Sequence, residues 1–193
     1  DARDKRLAPA DALKIYALKT APAFEAAMYL GARLAGDAEA LETAIRQFSR
    51  HLGIAFQILN DLKDWEGDNH NKLLAGGDVL KGRPTVLWAL ALTSLSESSQ
   101  QELEELVNDS SESRFHRVFQ LYREADVFEK ARQLVDRYQQ RAEEVADEIE
   151  PDELRRLMYY MVDTILEPPA ESISEVIMPT LGIATSTTVD RVS

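Results

Sequence analysis

Gly53-Ile54-Ala55-Phe56-Gln57-Ile58-Leu59-Asn60-Asp61-Leu62-Lys63-Asp64 is the stretch on which the fold turns. It ends a longer run from Asp37 to Trp65, in which Leu41, Ile45, Phe48, Leu52, Phe56 and Leu59 recur every three or four residues. That is the helical period, so the run predicts one long helix with Asp37 as its N-cap and an apolar stripe turned to a core. With about 100° per residue and Gln57 as zero, Asn60 falls at about 300°, Asp61 at about 40°, Asp64 at about 340° and Gly53 at about 320°. The polar residues therefore share one face, with a small residue one turn earlier that permits close approach. Asp61 and Asp64, about one turn apart, suit a hard cation such as magnesium, which takes oxygen ligands and keeps waters. A solvated acidic helix face carries the same pattern.

The remaining chain reads as helix almost throughout. Helices are predicted at Ala10–Leu34, Thr85–Thr93, Arg114–Arg123, Asp126–Ile149 and Asp152–Leu166, the last entered through Pro151. Ser99-Gln100-Gln101-Glu102 has capping-box spacing and predicts the start of a further short helix. Asn108 to Ser113 reads as a turn. Gly67 to Pro84 holds Gly67, Gly76, Gly77, Gly82 and Pro84 and predicts a long loop, a kind that is often functional. Pro168-Pro169 breaks the chain, a short helix is expected near Glu171–Met178, and residues 167–193 are expected to form a partly loose tail. No strand and no repeat is predicted. The expectation is a single all-α domain over residues 1–193.

The chain has 193 residues, 45% hydrophobic and 29% charged, with a formal net charge of −12. That composition is globular, and that charge repels a nucleic-acid backbone. There is no cysteine, so disulfides and thiolate metal sites are excluded and a cytoplasmic location is the expectation. No apolar run is long enough to span a membrane. His51, His70 and His116 have no zinc spacing.

Cations lie elsewhere in the sequence. Lys19-Thr20 interrupts the apolar stretch from Ile15 to Tyr29, and Lys72, Lys81 and Arg83 lie in the glycine-containing loop. Either set reads as exposed surface when taken alone. Facing an acidic helix, they are what a metal–diphosphate site requires, because the anion needs positive charge around it.

The order Tyr16…Lys19-Thr20-Ala21, then Gly53…Phe56-Gln57-Ile58-Leu59-Asn60-Asp61-Leu62-Lys63-Asp64, then Gly77-Asp78…Lys81-Gly82-Arg83-Pro84-Thr85 resembles the trans-isoprenyl diphosphate synthases, or polyprenyl synthetases. The middle segment is similar to the second aspartate-rich motif of that family. The resemblance implies the C-terminal part of an isoprenoid-synthase-type helical bundle. It also implies magnesium-dependent condensation of isopentenyl diphosphate with an allylic diphosphate. By position, Asn60, Asp61 and Asp64 would serve the metal, directly or through water. Lys19, Lys72 and Arg83 would hold the allylic diphosphate, and Thr20 and Gln57 would line the reacting end. A homodimer, or a heteromer, is implied as well.

The pattern departs from the family in three places. Asn60 stands where the motif begins with aspartate, and Arg83 where lysine is usual. The family's first Asp-Asp-x-x-Asp has no counterpart; Glu143-Glu144-Val145-Ala146-Asp147 has its spacing but lies late in a charged helix and reads as solvated surface. The opening helices are expected upstream of Asp1, leaving this chain incomplete for catalysis alone. Two alternatives follow: an inactive or regulatory subunit of a heteromeric synthase, and a class I terpene cyclase, whose second metal motif Asn60-Asp61…Asp64…Asp68 partly resembles.

Overall fold

A computed structural model describes residues 7–36, 38–65, 77, 83, 85–108 and 114–166. Among these there are seven α-helices and no strand: α1 (Pro9–Ala35), α2 (Glu42–Lys63), α3 (Val86–Ser94), α4 (Glu97–Asn108), α5 (Arg114–Glu124), α6 (Val127–Asp147) and α7 (Asp152–Ile165). A 3₁₀ turn, Glu39–Leu41, leads into α2. The expected cap at Asp37, the helix near 171–178, the tail and, apart from residues 77 and 83, the long loop lie outside the described residues. Of the expected turn from Asn108 to Ser113, residues 109–113 lie outside them too, and Asn108 instead closes α4.

The central helix is α2, packed against α1 on one side and α6 on the other. Ile45, Phe48, Leu52 and Leu59 of the predicted stripe are buried, and Leu41 and Phe56 pack half-buried against the core. Burial goes further than one stripe. Ile54, Ala55, Ile58, Asp61 and Leu62 are buried too, because two helices cover α2 from different sides.

Gly53 explains how α1 comes so near. A Cβ placed there would lie 2.9 Å from the Ala21 backbone nitrogen and 3.0 Å from its Cα. Only a residue without a side chain admits that approach. Pro22 sits inside α1 beside this contact and, lacking an N–H, leaves the carbonyl of Leu18 without its usual helical donor.

Beyond α2 the chain is anchored by aromatic packing. Trp65, 1% exposed, lies 4.8 Å from the Tyr122 ring, 5.5 Å from Phe115 and 5.6 Å, edge-on, from Phe128, measured between centroids. Each such pair adds about 0.5–1.5 kcal/mol beyond the area it buries. The C-terminal end of α2, which carries Asp61 and Asp64, is thus tied to α5 and α6.

Several expected boundaries differ. The helix expected from the Asp37 cap to Trp65 runs Glu42–Lys63 behind the 3₁₀ turn, and α6, expected to reach Ile149, ends at Asp147. α4 begins before Ser99: Ser96 Oγ accepts from the Ser99 amide at 3.3 Å, and Ser96 O accepts from the Gln100 amide at 2.9 Å, so Ser96 occupies the capping position. Asp126 does not open α6 as a helical residue. It turns the chain between α5 and α6 in the left-handed region, at φ 56°, which aspartate tolerates better than most side chains. α4 and α5 are joined by Arg117, whose Nε and Nη2 donate to the two oxygens of Glu102 at 2.5 and 2.8 Å. That fork holds the Glu102 carboxyl below its usual range.

Candidate functional site

The site is built where α1, α2 and the start of α3 meet. α1 supplies Tyr16 and Thr20, one turn apart and therefore on the same face. α2 supplies Gln57 and Asp61, again one turn apart. The Gly53–Ala21 contact brings these faces together, and Thr20 Oγ1 donates to Gln57 Oε1 at 3.2 Å. Gln57 Nε2 lies 3.5 Å from Asp61 Oδ1. The other carboxylate oxygen, Asp61 Oδ2, accepts from the Tyr16 hydroxyl.

Tyr16 is held from the other direction. Its oxygen accepts from the Val86 amide at 2.7 Å. Val86 opens α3, so its N–H is one of those at a helix start that have no partner within the helix. Thr85 meets another such need, its Oγ1 accepting from the Trp88 amide at 3.2 Å. A phenol from α1 therefore caps α3 and binds Asp61 of α2 at once.

Asp61 is only 4% exposed. Burying a carboxylate is costly unless donors surround it, and Tyr16 and Gln57 are such donors. Its charge is felt across the core: the wholly buried Tyr122 phenol is pushed well above its ordinary range, by burial first and by Asp61 next. The Tyr122 hydroxyl has no hydrogen-bond partner among the described residues.

The sequence places Asn60, Asp61 and Asp64 together on an acidic front. The structure divides them. Asp61 lies under α1, while Asn60 is exposed and Asp64 half-buried at the turn that follows the helix. α1 covers the Asp61 side of the helix, which the wheel of α2 alone does not show. Lys19 and Arg83 are exposed, and Lys72 lies outside the described residues. Among the described residues no cluster of three or more acidic or histidine side chains can hold a metal. Asn60 and Asp64 do offer two oxygen-bearing side chains a turn apart at the rim. That fits a magnesium ion whose remaining ligands are waters and phosphate oxygens.

Tyr16 is the member that residue-by-residue reading left without a role. Its signal was present: a hydroxyl-bearing ring one turn from Thr20 in an otherwise apolar stretch. Glu144 and Asp147 are exposed, as expected, and Glu143 is half-buried. Gln139 and Gln140 donate to Glu143 and Glu144 at 2.9 and 3.1 Å within α6, and Asp147 accepts from the Tyr159 hydroxyl at 2.6 Å.

Comparison with known proteins places the chain in a family. Residues 1–124 match the family model for polyprenyl synthetases. An octaprenyl diphosphate synthase of Haemophilus influenzae is 33% identical over 84 residues, 43% of this chain and 26% of that protein. Component 2 of a heptaprenyl diphosphate synthase of Geobacillus stearothermophilus is 29% identical over 143 residues, 72% of this chain and 43% of that one. A geranylgeranyl pyrophosphate synthase of Corynebacterium glutamicum, solved with isoprenyl diphosphate and magnesium, superposes with a TM-score of 0.73 at 25% identity, over 84% of this chain and 47% of its own. The chain spans less than half the length of each of these three relatives. The family model covers well over half of the present chain, and the matched region contains Tyr16, Thr20, Gln57 and Asp61. The chain belongs to the polyprenyl synthetase family.

Proposed function

We propose that the protein takes part in magnesium-dependent prenyl transfer, the condensation of isopentenyl diphosphate with an allylic diphosphate, acting together with the portion of its relatives' length that it does not span. The observation that carries this reading is the meeting of Thr20 and Gln57 at 3.2 Å, which joins two motifs 37 residues apart at one edge. The Corynebacterium relative's complex with isoprenyl diphosphate and magnesium supports the substrate class and the metal.

In this reading Asn60, Asp61 and Asp64 serve magnesium, Asn60 and Asp64 directly or through water and Asp61, covered by α1, in support of them. Lys19, Lys72 and Arg83 hold the allylic diphosphate. Magnesium, when bound, neutralises charge that builds on the departing diphosphate. As the carbon–oxygen bond breaks, an allylic cation is left, and the double bond of isopentenyl diphosphate attacks it with loss of a proton. Thr20 Oγ1 and Gln57 Oε1 present oxygen to that electron-poor carbon. The exposed Ile15, Leu18, Leu30 and Leu34 on α1 support association with a second chain, a copy of this one or a component of a heteromer. Among the described residues no helix is long and apolar enough to cross a membrane.

Asn60 supports a second reading, that of a regulatory subunit, because its amide brings no charge to a position where the family carries aspartate. One assay separates the two. The product of the full-length gene is incubated with farnesyl diphosphate, labelled isopentenyl diphosphate and magnesium, and extracted into butanol. Labelled product that disappears on chelation supports prenyl transfer. No product, with stimulation of an added synthase, supports the regulatory reading. Hydrocarbon or terpene alcohol formed from farnesyl diphosphate alone points to a cyclase instead.

A further inference from the structure

We propose that Tyr16 and Asp61 form a positioning pair, whose task is to fix the orientation of the Gln57 amide so that its carbonyl oxygen, not its nitrogen, lies at the Thr20 edge. The proposal rests on the prenyl-transfer reading of that edge.

The direction of each bond follows from what each group can do. An ionised carboxylate only accepts. Whichever end of the Gln57 amide faces Asp61 must therefore be the donating NH₂ end, and the carbonyl is left to face Thr20. The observed contacts have this sense: Nε2 toward Asp61 Oδ1 at 3.5 Å, and Oε1 accepting from Thr20 Oγ1 at 3.2 Å. Tyr16 keeps the carboxylate in place. Its hydroxyl has one proton, and the Val86 N–H, 2.7 Å away, occupies an acceptor side of its oxygen, which sends that proton to Asp61 Oδ2. The Val86 amide is itself oriented by the first turn of α3. A backbone donor on α3 thus sets a phenol on α1, which sets a carboxylate on α2, which sets the amide one turn earlier.

The chemical consequence lies at the edge. With the amide held this way, the Thr20 and Gln57 oxygens present lone pairs to an electron-poor carbon. A flipped amide would present N–H groups and oppose positive charge. At 4% exposure Asp61 is also poorly placed for water to compete with Gln57 for its oxygen.

The test is the side-chain amide signal of Gln57 in the ¹⁵N-labelled full chain without ligands, identified by its loss in Gln57→Glu. The wild type should show two well-separated amide protons, one shifted by the carboxylate. Tyr16→Phe and Asp61→Asn should collapse that separation, and Glu144→Gln should leave it intact. Persistence in both site variants overturns the proposal. If Asp61→Asn proves unfolded by its backbone spectrum, Tyr16→Phe decides. In the condensation assay Tyr16→Phe should lower kcat about 10-fold, in the range of lost supporting contacts, with KM for isopentenyl diphosphate nearly unchanged. A rise in KM alone contradicts positioning. A well-separated amide signal in a wild type that makes no product, collapsing in Tyr16→Phe, overturns the prenyl-transfer reading while leaving Gln57 positioned by the pair. A collapsed signal in the wild type overturns the positioning proposal itself.

Discussion

Two stretches share one spacing: Asn60-Asp61-x-x-Asp64, which closes α2, and Glu143-Glu144-x-x-Asp147 on α6, the first with an amide where the second has a carboxylate. Their surroundings differ. Asp61 is 4% exposed, bound by a phenol from another helix and covered by α1. Glu144 is exposed and receives a bond from Gln140 of its own helix. What separates them is the neighbour above each. Gly53 lets α1 come down on α2 and bury Asp61, whereas Glu144 is left exposed among the described residues. The spacing is shared; the covering helix with donors aimed inward is what distinguishes Asp61.

The largest expected effect comes from removing that cover. Gly53→Val forces a Cβ to within 2.9 Å of the Ala21 backbone and must drive α1 and α2 apart. Overpacking of this kind costs about 1–3 kcal/mol, and the upper end is expected because the obstacle is main chain. Urea unfolding measures the loss, and the Gln57 amide signal should lose its shift along with it. If Gly53→Val is as stable as wild type, the close approach is not what separates the two regions.

Next is Tyr16→Phe, which leaves the Val86 amide without its phenol acceptor and removes one of the donors to Asp61. Leaving buried partners unsatisfied costs about 1–3 kcal/mol, and a value near 2 is expected by equilibrium unfolding. The matching change on α7, Tyr159→Phe, removes the hydroxyl that bonds to Asp147. Asp147 is exposed, so water replaces that bond and the expected loss is below about 0.5 kcal/mol. Equal losses would erase the distinction.

A smaller effect sits where the two helices touch. His51 of α2 lies against the Tyr138 ring of α6, with centroids 5.9 Å apart, and its imidazole is held below the ordinary range. Burial is the main cause, Arg141 and Arg50 add to it, and Glu144 opposes them. The unfolded chain therefore binds this proton more readily than the folded one. The contribution of His51 to stability is present above about pH 6.5 and is lost as pH falls below that value toward the folded pKa. His51→Gln should flatten this part of the pH–stability curve, and Glu144→Gln should move the His51 titration, followed by NMR, further down. Glu144→Gln itself should change stability by less than about 0.5 kcal/mol.

Much of the fold was legible because helices declare themselves locally. α1 was expected at Ala10–Leu34 and runs Pro9–Ala35, and α7 was expected at Asp152–Leu166 and runs Asp152–Ile165. The period of α2 named its buried side, and Gly53 hinted at close approach. What stayed hidden was which neighbour takes advantage of that gap. A single helix wheel shows one face per partner, and α2 has partners on two sides, so Asp61 read as part of an open front. Tyr16 stayed without a role for the same reason: its partners, Asp61 and the Val86 amide, are 45 and 70 residues away. The capping position of α4 was misplaced because Ser96, Ser98 and Ser99 offer competing hydroxyls within four residues, and Ser96 to Ser98 is bonded at 3.0 Å. Composition cannot rank such neighbours.

The most direct measurement compares Asp61→Asn with Glu144→Gln in the product of the full-length gene. The rate of labelled isopentenyl diphosphate incorporation at saturating magnesium is followed for each. If the buried edge between α1 and α2 is where prenyl transfer occurs, Asp61→Asn should lower the rate on the order of 10–100-fold, as loss of a supporting contact does. Glu144→Gln should leave it within about twofold, as a change on a solvated face does. Equal rates for the two variants would contradict the assignment of the site.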